Sequence, residues 1–312
     1  MKIHCPNQAV KLIQQLLIIL CFFVPVFIPG AIAQEVEHSK IETSFSQLLE
    51  YAYLSSAAYQ DRQSIENILG QRGDVLTEHG NISGYQVSYF LSTNMRNKTQ
   101  LLSIRGTSSF ENTLAYIAMQ QLNDQHTGIP LHQGFALTAL DIYAQVRPKL
   151  IKDFKISTTG HSLGGAVAVV LAMYLDTDGY DVDQIFTFGQ PKLTNVTGAL
   201  KYKHLRLIRV VTEKDYVPLV PPLDLADIKN INIYWHLGEE IILLDKLPDK
   251  TDYSTTRGLQ SMLRATRFLT EKPGVDNLQS HFMSHYIDSI KNKIGKATYT
   301  PYKNNFNIFD LL

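Results

Sequence analysis

The stretch Ser157 to Val167, STTGHSLGGAV, constrains the fold more than any other part of this chain. A β-compatible run, KISTT, leads into Gly160, His161, Ser162, Leu163 and Gly164, and the apolar run AVAVVLAMYL begins at once. Strand, sharp turn and helix in that order form the pattern of a nucleophile elbow, GxSxG. In such a turn the serine takes a strained backbone conformation, so the positions two before and two after it must lack side chains that would clash. The bland alternative is a glycine-rich turn with a solvated serine. The strand before it and the helix after it favour the catalytic reading, with the helix amides facing whatever negative charge develops nearby.

The rest of the chain supplies a frame for that turn. Apolar residues Phe45, Leu48, Leu49 and Ala52 recur at helical spacing between Thr43 and Leu69, predicting one or two helices before Gly70. GYQVSYFLS and TQLLSI read as adjacent strands, Phe135 to Val146 as a helix face, and QIFTF and LRLIRVV as further strands. Strands alternating with helices that are apolar nearly all round predict an α/β fold with a mostly parallel central sheet between helical layers. INIYW and EIILL, on either side of HLGE, are expected to form a hairpin at the far edge. Residues 246–279 show few strand features and one amphipathic helix, RGLQSMLRATRFL.

A serine hydroxyl is a weak nucleophile near neutral pH and needs a histidine to take its proton and an acid to orient that histidine. In an elbow architecture these follow the serine in the order acid, then histidine. Asp215, in RVVTEKDYVPLVPP, stands just beyond an apolar strand, where catalytic groups of open α/β sheets gather, and prolines follow that can fix its loop. Glu213 and Asp224 are nearby rivals. Downstream, SHFMSHYID carries His281 and His285 four residues apart, a spacing that can hold zinc on one helix face. Phe282 stands where a zinc protease carries its glutamate, and no third ligand cluster is evident, so no metal and no cofactor is expected.

Lys2 and Lys11, the apolar run ending at Gly30 and the AIA ending at Ala33 read as a secretory signal peptide over residues 1–33, leaving 34–312 as a single catalytic domain. Both cysteines, Cys5 and Cys21, lie in that leader, so the exported remainder must be held by its core. Charges balance at 29 against 29, or about −2 without Lys2 and Lys11, and nothing in that balance points to a nucleic-acid partner. Export leaves a secreted and a periplasmic destination equally open.

An ordered series of segments from about residue 45 to 290 resembles the class 3 lipase family, that of the fungal triacylglycerol lipases. LLSIRGTSS, LHQGF, TGHSLGGA, TFGQPK, RVVTEKDYVPLVPP, YWHLGEEI and HFMSHY are similar, in the same order, to segments of that family. The resemblance implies an α/β hydrolase fold, Ser162 as nucleophile, Asp215 as orienting acid and His281 as general base. It also implies an oxyanion hole from the amides of Leu163 and Thr107, with the Thr107 hydroxyl as a third donor. Arg105 is expected to brace the oxyanion turn, and His132 and His236 to be structural. A tryptophan after the Arg-Gly-Thr turn is missing here, and PKLTN replaces the commoner Pro-Arg-Val-Gly-Asn.

In the resembled family the region after the oxyanion turn is a lid, and Phe110, Leu114, Ile117 and Ala118 share one helical face here, which core packing explains equally well. Arg257, Arg264 and Arg267 beside Leu259, Met262 and Leu263 give a helix that fits a solvated surface better than an anionic membrane. The implied activity is hydrolysis of acyl esters of lipids, at a lipid–water interface or membrane surface. A phospholipase A1, a soluble carboxylesterase, a serine peptidase on the same fold and a catalytically silent lipid-binding protein are the alternatives. Oligomeric state is not encoded in these motifs.

Overall fold

The computed structural model describes residues 44–82, 86–106, 120–221, 233–245, 251–265 and 275–302. The expected leader at residues 1–33, Thr107, the apolar residues Phe110, Leu114, Ile117 and Ala118 of the expected lid, and the rival acid Asp224 lie outside the described residues. The elements below belong to one compact unit, Phe45–Lys303.

Two helices open that unit, α1 (Phe45–Ala57) and α2 (Arg62–Gly70). Asp61 separates them because its carboxylate caps the second, accepting from Ser64 N at 2.8 Å. Three strands follow, β1 (Val75–Ile82), β2 (Val87–Asn94) and β3 (Thr99–Ile104), paired antiparallel in series. Short strands β4 (Gln121–Asn123) and β5 (Pro130–His132) precede helix α3 (Gln133–Val146). Next come β6 (Lys155–His161), α4 (Leu163–Thr177), β7 (Asp181–Phe188), β8 (Thr194–Asn195), α5 (Val196–Lys201) and β9 (Leu207–Thr212). The remainder holds β10 (Tyr234–Trp235), β11 (Glu239–Leu243), β12 (Asp252–Arg257), α6 (Gly258–Ala265), α7 (Val275–His281), α8 (Met283–Lys291) and β13 (Thr298–Tyr299).

Among the described residues the main sheet has the order β1-β2-β3-β6-β7-β9-β11-β12-β13. Its centre, β3-β6-β7-β9-β11, is parallel throughout, and antiparallel pairs lie toward both edges. Strand side chains alternate between the two faces. Leu102 and Ile104 of β3 join the core beneath α4, whereas Leu101 of the same strand packs with Leu54 of α1. On that second face Ser103 also donates to the Leu54 carbonyl at 2.9 Å. Helix α4 is buried from Leu163 to Leu175, which accounts for its apolar residues on every side.

Two expectations for the C-terminal third are corrected. Tyr234–Trp235 and Glu239–Leu243 do not form a hairpin. The first pairs with β8 in a separate four-stranded sheet, and the second lies parallel to β9 in the main sheet. The unbroken apolar run EIILL is what a strand covered on both faces requires. The amphipathic helix also carries Arg264 inward, 1% exposed, rather than on a solvated face.

Arg264 meets Glu240 through Nη2 at 2.8 Å and Nε at 3.0 Å, and Arg209 donates to the same carboxylate at 3.0 Å. Thr256 donates to Glu240 at 2.6 Å, and Arg209 also reaches the Leu237 carbonyl and Ser261. This cluster explains β12, whose polar sequence DYSTTR hid a strand: Thr256 turns its hydroxyl to the buried Glu240 carboxylate. Burial alone would raise the Glu240 pKa, but Arg264 and Arg209 outweigh it and hold the carboxyl well below the usual range. The folded pKa is therefore depressed, so the stabilisation is complete above the unfolded value near ~4.3 and is lost as pH falls below it. Glu240→Gln is expected to lower unfolding free energy by about 3–5 kcal/mol at neutral pH, because two buried guanidinium groups lose their counter-charge. Below pH ~4 the wild type should lose stability by about 1.4 kcal/mol per pH unit more than the variant. Urea titrations across pH check both, and a variant equal to wild type at pH 7 would contradict the cluster's structural role.

Candidate active site

Ser162 joins β6 to α4 with φ 57° and ψ −132°, a left-handed conformation that costs a non-glycine residue roughly 1–3 kcal/mol. The tightness of the turn is visible in its flanking glycines. A Cβ on Gly160 would run into the Gly164 main chain, and one on Gly164 would run into the Ile104 carbonyl at the end of β3. A Cβ on Gly106 would stand 2.7 Å from the His161 carbonyl oxygen and 2.9 Å from Ser162 Cβ. The Arg105–Gly106 turn therefore presses directly against the elbow. Arg105 braces that turn, donating to the Gly106 carbonyl at 3.2 Å and the Gln86 carbonyl at 2.8 Å.

Three side chains lie in line. Ser162 Oγ is 2.9 Å from His281 Nε2, and His281 Nδ1 is 2.8 Å from Asp215 Oδ2. All three residues are buried, Asp215 to 1% exposure. Asp215 stands on the turn after β9, and its other oxygen accepts from Val217 N at 2.9 Å. Glu213 sits half-buried on the same turn. With a carboxylate accepting from Nδ1, the imidazole carries its proton there and leaves Nε2 free to accept from the serine hydroxyl.

Helix α7 ends at His281, and its end is tied to the acid-bearing turn. Thr212 Oγ1 donates to the Ser280 carbonyl at 3.0 Å, and Asn277 Nδ2 donates to the Lys214 carbonyl at 2.7 Å. Phe282 then has φ −67° and ψ 142°, an extended residue that breaks the chain between α7 and α8. His281 and His285 thus occupy different helices, and the zinc-binding premise of a shared face fails. His285 Nε2 lies 3.0 Å from Asp245 instead. Among the described residues no group of three or more His, Cys, Asp or Glu is arranged to hold a metal ion.

Leu163 is the first residue of α4, so its amide is one of those with no partner inside the helix. It follows the serine directly and is available to an oxygen bound there. His132 is buried and stacks on Phe135 with ring centroids 4.0 Å apart. His236 donates from Nε2 to the Pro218 carbonyl at 2.7 Å, within the loop that follows Asp215. Burial, reinforced by Arg209, holds His236 neutral well below its ordinary pKa.

The structure adds groups that the motifs did not assign. Tyr286 Oη donates to Asp215 Oδ2 at 2.6 Å, and burial with the Asp215 charge raises its own pKa well above that of a free phenol. Gly189, at φ 60°, lies so close that a Cβ would stand 2.8 Å from Asp215 Oδ2 and 3.0 Å from the His281 ring. Lys192 is buried and donates to the Pro221 carbonyl at 2.7 Å, holding the far end of the acid loop. Gly189 and Lys192 lie in the segment TFGQPK, where a glycine directly after an apolar strand was the available signal.

A parallel-centred sheet covered by helices, with a serine on the elbow, an acid on a later turn and a histidine at a later helix end, defines an α/β hydrolase fold. Residues 101–225 match the model of the family described as Lipase (class 3). A lipase of Rhizomucor miehei is 27% identical over 194 residues, covering 55% of this chain and 49% of its own. Secreted mono- and diacylglycerol lipase 1 of Fusarium solani is 29% identical over 186 residues, covering 54% of this chain and 51% of its own. The chain thus spans about half the length of these curated relatives. Among solved structures, the lipase from Rhizopus microsporus var. chinensis aligns with a TM-score of 0.55 at 23% identity, covering 65% of this chain and 75% of that one. Lip2 lipase from Yarrowia lipolytica aligns at 0.53 and 24% identity, covering 64% and 80%. At these identities the likeness is one of fold.

Proposed function

We propose that this protein is an exported serine hydrolase that cleaves acyl esters of lipids through an acyl-enzyme on Ser162. The observation that carries the reading is the unbroken series from Ser162 Oγ to His281 to Asp215, at 2.9 and 2.8 Å. As Ser162 Oγ attacks the ester carbonyl carbon, its proton passes to His281 Nε2, and Asp215 stabilises the imidazolium that forms. Negative charge on the carbonyl oxygen falls to the Leu163 amide and to the Thr107 amide and hydroxyl, each such donor being worth about 2.7–4 kcal/mol. Collapse of the tetrahedral intermediate breaks the C–O bond, and His281 returns the proton to the departing alcohol. Water then adds to the acyl carbon as His281 Nε2 takes its proton, the bond from that carbon to Ser162 Oγ breaks, and His281 returns the proton to Oγ, freeing the fatty acid.

The lipid class of the ester rests on the family and on the relatives' names, one of which is a secreted mono- and diacylglycerol lipase. Export rests on the leader-like residues 1–33. The test is labelling with a fluorophosphonate probe followed by peptide mapping, run beside a panel of acylglycerols, phospholipids, p-nitrophenyl esters and peptide amides. The expected result is label on Ser162 and turnover of esters with little of amides. Absence of labelling on folded protein would favour a silent lipid-binding role, and preference for amides would favour a peptidase.

A further inference from the structure

A second line of hydrogen bonds runs behind the serine, through residues to which the reaction above gives no part. Gly106 N donates to Tyr59 Oη at 3.2 Å, Tyr59 Oη lies 2.8 Å from His161 Nδ1, and His161 Nε2 lies 2.7 Å from the main-chain oxygen of His281. One proton arrangement satisfies every member. The His281 carbonyl only accepts, so His161 Nε2 carries the hydrogen; in the neutral ring Nδ1 then accepts, the Tyr59 hydroxyl donates to it, and the phenol oxygen takes the Gly106 N–H. This requires a neutral His161. Burial, with the adjacent His281 ring adding to it, pushes its pKa down to about 3.

The partner of this line is the backbone of His281 at the helix break. In a continuous helix the His281 carbonyl would accept from the amide of His285, but that amide is given to the Phe282 carbonyl at 3.0 Å. His161 supplies the donor that the break removes, and its ring lies against the His281 ring with centroids 4.7 Å apart. At the other end, Gly106 is the residue immediately before Thr107, and its turn abuts Ser162.

We propose that His161, backed by Tyr59, is a positioning residue that fixes the main chain of His281, and hence its imidazole, in register with the oxyanion turn at Gly106. The proposal rests on the reading of Ser162 and His281 as nucleophile and base. A geometric role of this kind acts on the chemical step, since displacement by about 1 Å can cost about 10²-fold in rate.

The experiment compares His161→Leu, His161→Gln and Tyr59→Phe with wild type and a Ser162→Ala control, measuring kcat and KM on a p-nitrophenyl ester, fluorophosphonate labelling rate and thermal midpoint. His161→Leu is expected to lose about 10²-fold in kcat and in labelling rate with KM within about twofold. His161→Gln, whose amide can place a donor near the Nε2 position, should recover at least about tenfold of that loss. Tyr59→Phe, which removes a single oxygen, should cost about tenfold, and it carries the test alone if His161→Leu fails to fold. Equal kcat for the leucine and glutamine variants, a loss confined to KM, or a loss that tracks the fraction folded would overturn the positioning role. Turnover or labelling retained by Ser162→Ala would instead remove the underlying catalytic reading. An inactive Ser162→Ala beside an unimpaired His161→Leu and Tyr59→Phe would remove the positioning role alone.

Discussion

His281→Ala is expected to reduce ester turnover by about 10⁶-fold, while His285→Ala stays within about twofold of wild type. Four residues separate the two, yet only the first ends α7 with Nε2 at 2.9 Å from Ser162 Oγ and Nδ1 at 2.8 Å from Asp215. Removing it leaves the serine without a proton acceptor, and the remaining machinery retains only what substrate binding and the oxyanion donors provide. His285 belongs to α8, half-buried, with its imidazole turned to Asp245. Its loss touches a partly exposed contact with Asp245, and even a charged pair so exposed is usually worth no more than about 1 kcal/mol. Steady-state kinetics on a soluble ester, with circular dichroism to confirm folding, decide the matter. A large loss at position 285 with little at 281 would transfer the base to the second histidine.

The elbow was legible because its constraint is local. Gly160 and Gly164 are demanded by contacts among Gly160, Gly164 and the end of β3, and the strand and helix on either side announce themselves through apolar runs. Asp215 was legible for a similar reason, since it closes an apolar strand in a parallel sheet. The two histidines were different. Spacing alone allowed a shared helix face, and only Phe282, an exposed residue with an extended backbone, breaks it. Nothing in the residue type of phenylalanine forecasts such a break, so the distinction between His281 and His285 came from family resemblance.

Long-range polar partnerships were the least legible part. Tyr59 reaches His161 across 102 residues, and Arg209 reaches Glu240 and Ser261 from a strand whose neighbours are apolar. Such pairs leave no periodic trace, because each member is a single polar residue in an otherwise apolar or loop segment. The same blindness misplaced Arg264, whose charge placed it on a solvated face until its partner Glu240 was known. Strand β12 was missed for the converse reason, a polar strand facing a polar interior.

Asp215→Asn is expected to lower kcat by about 10⁴-fold with little change in fold, the loss arising from tautomer rather than from shape. Both oxygens of Asp215 face donors: Oδ1 takes the Val217 amide, and Oδ2 takes His281 Nδ1–H and the Tyr286 hydroxyl. An asparagine must set its NH₂ on one side. Toward His281 it donates where it should accept, so the imidazole shifts its proton to Nε2 and loses the lone pair that Ser162 needs. Toward Val217 it opposes a main-chain N–H with another donor inside a buried turn, which costs about 1–3 kcal/mol. The first arrangement leaves the Val217 bond intact, and Tyr286 can rotate its hydroxyl hydrogen away and accept. Tyr286→Phe in the asparagine background should therefore restore little. In the wild-type background the same change should cost far less than the asparagine does, because the carboxylate keeps its hold on Nδ1–H. Proton NMR of the imidazole, resolving which nitrogen carries the hydrogen, together with kcat for the two single variants and the double variant, checks this assignment. An asparagine variant within about tenfold of wild type would exclude Asp215 as the orienting acid.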